Sequence, residues 1–234
     1  MHSYFKSYKY FMLQRPNITL LAVSSVEQES TDLALRISSH DINFGAIKFL
    51  SSEEWISTDS RIEVIPIPRI DLVGYSKFML EELVNYVETD FCLVIQADGF
   101  VLNASRWNPE FLDYDYIGAP WPSDLKLQPG DIPIDISSNS VGNGGFSLRS
   151  KKLLQETSKI VFDELPFFSK SEDFIICHYL YDQMLAAGIK FPAPDLAAQF
   201  SIESPTAAYG QNPKTSFGFH SKTLRDLIFG GNLA

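Results

Sequence analysis

Short apolar runs alternate along the chain with stretches that carry helical spacing. ITLLAVSS, residues 18–25, is almost continuously apolar, the pattern of a strand buried on both faces. EQESTDLALRISSH follows with an acidic start and apolar positions on one helical face. GAIKFLSS and IEVIPIP predict two more short strands. YSKFMLEELVNYV predicts a helix whose stripe includes Phe78, Leu83 and Val87, with Ser76 as its cap. FCLVIQADGFVLN is the strongest strand signal of all. This alternation over the first hundred residues predicts an open α/β sheet, a fold that binds ligands at the carboxyl ends of its strands.

The second half has another texture. FLDYDYIGAPWP predicts a strand running into a proline-fixed turn, and residues 122–140, polar and rich in Pro and Ser, predict a mobile loop. In VGNGGFSLR, Val141, Phe146 and Leu148 look like a strand, yet Gly142, Gly144 and Gly145 crowd its start. Glycines there mark either a bulge or a close approach by another backbone or a ligand. SKKLLQETSKIVF and EDFIICHYLYDQMLAAGI predict helices, FPAPDLAAQFSIES an extended segment, and FGFH precedes a last short helix. A chain of 234 residues that is 45% hydrophobic can bury one substantial core, so a single mixed α/β domain is expected.

Charge narrows the function classes. With 19 basic against 29 acidic residues, the formal charge of −10 excludes the broad basic footprint of a nucleic-acid binder. A phosphorylated substrate would need a local remedy, a metal ion or a few placed basic groups. The two cysteines, Cys92 and Cys177, sit in apolar runs and read as buried thiols of a reducing, cytoplasmic setting. No apolar run reaches the roughly 18 residues of a membrane-spanning helix. The N-terminal segment MHSYFKSYKYFMLQRP reads as an element packed on the domain, with a peripheral membrane contact as the alternative. The sequons at Asn17 and Asn103 are expected to be chance matches.

Five places carry candidate chemistry. Gln96 and Asp98 lie just past an apolar strand, where a carboxylate can hold a hard cation with substrate phosphates; a plain Asp-Gly turn is the alternative. Glu172 and Asp173 open a helix capped by Ser169 or Ser171, where the helix dipole alone favours acids, or one of them takes a proton from a substrate hydroxyl. His220, after glycine and aromatics, reads either as a packed or surface residue, the commoner role of a lone histidine, or as a ligand suited to Mn²⁺. Arg149 and the Lys151–Lys152 pair can neutralise phosphate, and Trp121 offers either a sugar-stacking face or a core side chain.

Taken in order, VIQADGFVLN, FLDYDYIGAPW, VGNGGFSLRS, SEDFII, AAQFSIE and FGFH resemble a bacterial family related to GT-A glycosyltransferases. The resemblance spans about residues 18–220 and implies a GT-A-like domain. Residues 18–100 would then form the nucleotide-binding half and 101–234 the donor-sugar and acceptor half. It implies a hexosyltransferase-like enzyme of polysaccharide or glycoconjugate assembly, moving a sugar from a UDP-sugar to a hydroxyl acceptor with inversion. Asp98 and His220 would hold Mn²⁺ or Mg²⁺, although Gln96 stands where GT-A enzymes keep the first acid of Asp-x-Asp. That departure leaves a non-catalytic carbohydrate- or nucleotide-binding module as the alternative. Asp173 would be the base with Glu172 beside it. Gly144, Gly145 and Arg149 would lie against the donor sugar and phosphates, Ser24, Ser25, Tyr75 and Ser76 near the nucleoside, and Trp121 at the acceptor. The loop over 122–140 would close over the site to exclude water.

Overall fold

Strand β1 (Leu13–Ser24) points Ile18, Leu20 and Ala22 into one hydrophobic cluster and Leu21 and Val23 into another. This two-residue alternation into two cores is why the run reads as continuously apolar. A computed structural model describes residues 12–127, 130–203 and 212–229, so the predicted packed segment over residues 1–16 lies mostly outside them. β1 begins five residues earlier than expected, with a register shift against its neighbour between Arg15 and Thr19. The shift accommodates Pro16, which has no N–H to donate to a ladder.

After helix α1 (Gln28–Ser38) come β2 (Ile42–Ser51), β3 (Ile62–Pro66), α2 (Leu72–Glu81) and β4 (Phe91–Ile95). Helix α2 is capped by Asp71, whose carboxylate accepts from the Gly74 N–H at 2.7 Å. Ser76, the predicted cap, is buried inside the helix instead. The long strand signal of FCLVIQADGFVLN splits in two, because the chain turns at Gln96–Asp98 and continues as β5 (Gly99–Val101) in a different sheet. Next are β6 (Tyr116–Ile117), a small hairpin of β7 (Lys126–Leu127) and β8 (Ile132–Pro133), and β9 (Phe146–Ser150). The hairpin lies within the segment expected to be one irregular loop.

Helix α3 (Lys151–Thr157) follows, then α4 (Glu172–Phe174), which runs into a π-helical turn over Ile175–Tyr179, then α5 (Tyr181–Ala186). The stretch expected to be extended contains α6 (Pro194–Phe200) before β10 (Ser201–Ile202). Pro194 sits in the first turn of α6, where its missing N–H costs nothing, and Leu196, Ala197 and Phe200 are buried. Strand β11 (Gly218–His220) and helix α7 (Lys222–Phe229) complete the described chain.

The main sheet runs β3-β2-β1-β4-β9-β6; β3 through β4 are parallel, and β9 is antiparallel to both of its neighbours, β4 and β6. A second sheet, β10-β11-β5, shares a core with one face of the main sheet through Phe100, Phe146, Phe200, Phe217 and Phe219. Both cysteines are free and buried, as expected. Among the described residues no helix is long and apolar enough to cross a membrane.

Candidate active site

Strands β2 and β3 lie on one side of β1 and β4 on the other, so the strand order reverses between β1 and β4. Ligands of open α/β sheets bind at such a switch point. A cavity of about 470 Å³ opens there. Its nucleoside-facing candidates, Ser24, Ser25, Tyr75 and Ser76, all line it. Ser24 Oγ accepts from the Glu27 N–H at 3.1 Å, tightening the turn into α1. Ser25 Oγ accepts from the Ile70 N–H at 3.2 Å, tying that turn to the segment before α2.

Gln96 and Asp98 line the same cavity because β4 ends there and β5 leaves in another direction. Antiparallel pairing sets Ile95 opposite Phe146, which brings Gly144 and Gly145 alongside them. His220 arrives from the second sheet, paired with Gly99. Its Nε2 lies 3.0 Å from Gln96 Oε1 and 3.3 Å from Asp98 Oδ1, and its Nδ1 lies 3.6 Å from Glu203 Oε1. The last distance makes an ion pair but is too long for a hydrogen bond. The amide nitrogen of Gln96 donates to Tyr75 Oη at 3.0 Å.

Electrostatics follow from this packing. Burial disfavours charge on His220, but the flanking Asp98 and Glu203 carboxylates outweigh it and raise its pKa to about 10. Burial would likewise raise Asp98, and the contact with His220 holds it below its ordinary value. Burial, then the Glu172 charge, pushes the Tyr75 phenol well up, so it stays neutral.

Glu172 and Asp173 form the opposite wall. The Arg149 side chain is fully buried beneath it, with Nη2 3.0 Å from Glu172 Oε1 and Nε donating to Ser147 Oγ at 3.0 Å. Its guanidinium lies over the Tyr116 ring, 5.5 Å from the centroid. Asp173 keeps part of its surface at the cavity and accepts from the Phe174 N–H at 2.8 Å. Burial, then the Glu172 and Glu203 charges, raises Asp173 to about 7. No side chain caps α4, so the predicted Ser169 or Ser171 cap is absent. The helix widens instead into its π-turn immediately after this pair, a distortion often found at functional sites.

The glycines of GNGGF admit a third explanation besides bulge or ligand approach. A Cβ at Gly145 would lie 2.3 Å from His220 Nε2, and one at Gly144 would lie 2.0 Å from Glu172 Oε1. Both line the cavity, but the space their missing side chains leave is filled by the two polar groups that the site displays.

Four expectations are corrected. Trp121 is 3% exposed and stacks on Phe174 at 4.8 Å, with the Gly142 backbone against its ring; it is a core side chain and offers no acceptor platform. Arg149 has no exposed surface and is held by Glu172, so it supports the wall without reaching a donor phosphate. Lys151 and Lys152 turn away from the cavity to the carbonyls of Val84, Val87 and Gly188. No described residue of the 122–140 loop lines the cavity.

Of the cavity residues that went unnoticed in the sequence, two bear most on the site. Glu203 follows β10 in the AAQFSIE block, where only the block itself stood out. Asn143 adopts a positive φ of 63°, is 2% exposed, and accepts from the Gly145 N–H at 3.0 Å. Asparagine beside two glycines was the signal, since it tolerates the left-handed region.

Among the described residues, no cluster of three or more His, Cys, Asp or Glu side chains is disposed to hold a metal ion. A carboxylate and an imidazole, Asp98 and His220, nevertheless converge within 3.3 Å. With His220 as neutral imidazole, that mixed oxygen and nitrogen pair suits a divalent cation which takes its remaining ligands from a diphosphate, and the cation must displace the proton that Asp98 and Glu203 favour on the ring.

The fold matches a solved glycosyltransferase involved in glycosylation of the major capsid of PBCV-1, at 16% identity and a TM-score of 0.51, over 91% of this chain and 98% of that one. An active-site mutant of LgtC (11% identity, TM-score 0.47, 87% of each chain) is more distant. So is the glycosyltransferase GlyE of Streptococcus pneumoniae TIGR4 (12%, 0.45, 95% of this chain and 61% of that one). No curated protein matches in sequence. The class defined is a GT-A-like α/β fold, a mixed central sheet flanked by helices. Within it, the chain belongs to the DUF5672 family of proteins of unknown function, whose model matches residues 62–220.

Proposed function

We propose that the protein is a metal-assisted glycosyltransferase that moves a sugar from a nucleotide-sugar donor, a UDP-sugar, to a hydroxyl of a glycan or glycoconjugate. The observation that carries this reading is a single switch-point cavity that gathers Ser24, Ser25, Tyr75, Gln96, Asp98, Asp173 and His220 from distant parts of the chain. Six carboxylates line that cavity, those of Glu27, Asp71, Asp98, Glu172, Asp173 and Glu203. A diphosphate entering it would meet net repulsion unless a cation came with it.

Asp98 and His220 would hold that cation, which supplies charge stabilisation to the leaving nucleoside diphosphate. Ser24, Ser25 and Ser76 offer hydroxyls to the nucleoside. Asp173, raised toward neutrality, takes the proton from the acceptor hydroxyl as it attacks the sugar carbon. Glu172 pairs with Arg149, and its charge helps keep the neighbouring Asp173 basic. One base is enough for direct displacement with inversion, because the leaving group needs no proton.

One observation favours a binding module instead: Gln96 cannot supply the anionic charge of an acid at that position. Incubation with UDP-sugars and Mn²⁺ decides between them. Release of UDP supports the transferase, and tight binding with no release supports the module.

A further inference from the structure

We propose that Gln96 sets the hydroxyl of Tyr75 as a hydrogen-bond donor to an acceptor oxygen of the bound nucleotide. Tyr75 is then a ligand-binding residue and Gln96 the residue that positions it. This inference rests on the nucleotide-sugar reading of the cavity.

The Tyr75 hydroxyl makes one hydrogen bond with the described residues, to Gln96 Nε2 at 3.0 Å. An amide nitrogen only donates, so the phenol oxygen accepts and its own proton is left over. Tyr75 lines the cavity, where that proton can meet a ligand oxygen. The other end of the Gln96 amide is engaged as well, Oε1 lying 3.0 Å from His220 Nε2. A cation on Asp98 and His220 would draw the same oxygen end. In both cases the N–H stays on Tyr75.

A carboxylate at position 96 would reverse the polarity. It carries acceptors only, so it would take the phenol proton and leave a lone pair facing the ligand. Glutamine in place of the expected acid is therefore more than a lost charge. It turns Tyr75 into a neutral donor within a wall of carboxylates. The oxygens it suits are those of the nucleotide's diphosphate or nucleoside, which accept hydrogen bonds.

Titration calorimetry with UDP and with uridine, both in Mn²⁺, tests this on the wild-type protein, Tyr75→Phe, Gln96→Glu and the double variant. Tyr75→Phe should weaken UDP by about tenfold, the effect of one lost hydrogen bond to a polar or charged group. Gln96→Glu should weaken UDP more in the presence of the Tyr75 hydroxyl than in the Tyr75→Phe background. A loss with UDP alone places the contact on the diphosphate, and a loss with both ligands places it on the nucleoside. Equal Gln96→Glu effects in both backgrounds, or unchanged binding by Tyr75→Phe, would overturn the inference alone. Wild-type protein that binds neither ligand would overturn the nucleotide reading, and this inference with it.

Discussion

Arg149 Nη2 lies 3.0 Å from Glu172 Oε1 in a site where neither side chain is more than 7% exposed. The arginine comes from the end of β9 and the glutamate from the start of α4, so one ion pair joins the sheet to the helix that carries Asp173. Removing one partner of a buried pair strands the other charge, at a cost of about 3–5 kcal/mol. Arg149→Met and Glu172→Gln should each lower stability to urea by that order. The double variant should recover part of the loss, since two neutral groups need no pairing. Single variants as stable as the wild type would mean that the pair is solvated or dispensable.

The raised Asp173 makes a signed prediction about pH. Its folded-state pKa, about 7, lies above the roughly 3.9 of an unfolded aspartate. Between those values the folded protein keeps a proton that the unfolded chain has released. This carboxyl therefore favours folding at low pH, and its contribution is lost as pH rises through about 7. Asp173→Asn should raise the melting temperature at pH 8 and change it little at pH 4. Transfer, by contrast, should climb with pH up to about 7, then level off as the base becomes fully ionised. A melting temperature lowered by Asp173→Asn at pH 8, or a flat activity profile, would remove the base assignment.

The two glycines should part company when substituted. Alanine at Gly145 meets the His220 ring at the cavity surface, whereas alanine at Gly144 meets Glu172 and, at 3.1 Å, Arg149 Nη2. Gly145→Ala should keep its melting curve and lose activity as His220 is displaced. Gly144→Ala should melt earlier, because it opens the buried ion pair. Circular dichroism melts beside turnover of a UDP-sugar separate the two. Identical behaviour would return both positions to plain strand architecture.

Much of this site could be read from the sequence, and the failures have physical causes. Asp98 and Ser24 were legible because a polar residue just past an apolar strand can only lie at the sheet's carboxyl edge. His220 was legible as chemistry, but its place opposite Gly145 depends on the second sheet, which no local pattern specifies. Trp121 and Arg149 misled because an aromatic and a cation have the same composition in a core as at a ligand. Only the Phe174 stack and the Glu172 pair show which way they point. The helix over 194–200 was masked by its prolines, one of which begins it. Glu203 follows a two-residue strand, too short to leave a periodic signal.

The last expectation concerns the cation. Asp98 and His220 stand 3.3 Å apart at the meeting of the two sheets, each partly exposed to the cavity and neither in its hydrophobic core. Asp98→Ala and His220→Ala should therefore fold, with near-native circular dichroism. If these two side chains hold Mn²⁺ for a diphosphate, each variant should lose at least about tenfold in the affinity for Mn²⁺ measured in saturating UDP, the scale seen for groups that support a metal site. Chelation should weaken UDP binding by wild-type protein and matter less for either variant. The carboxylate-rich wall explains why the effect should appear in nucleotide affinity as well as in turnover, since a diphosphate without its cation faces six acidic neighbours. UDP binding that is indifferent to Mn²⁺ in the wild type would assign Asp98 and His220 to an ordinary ion pair and leave the diphosphate to be neutralised by some other group.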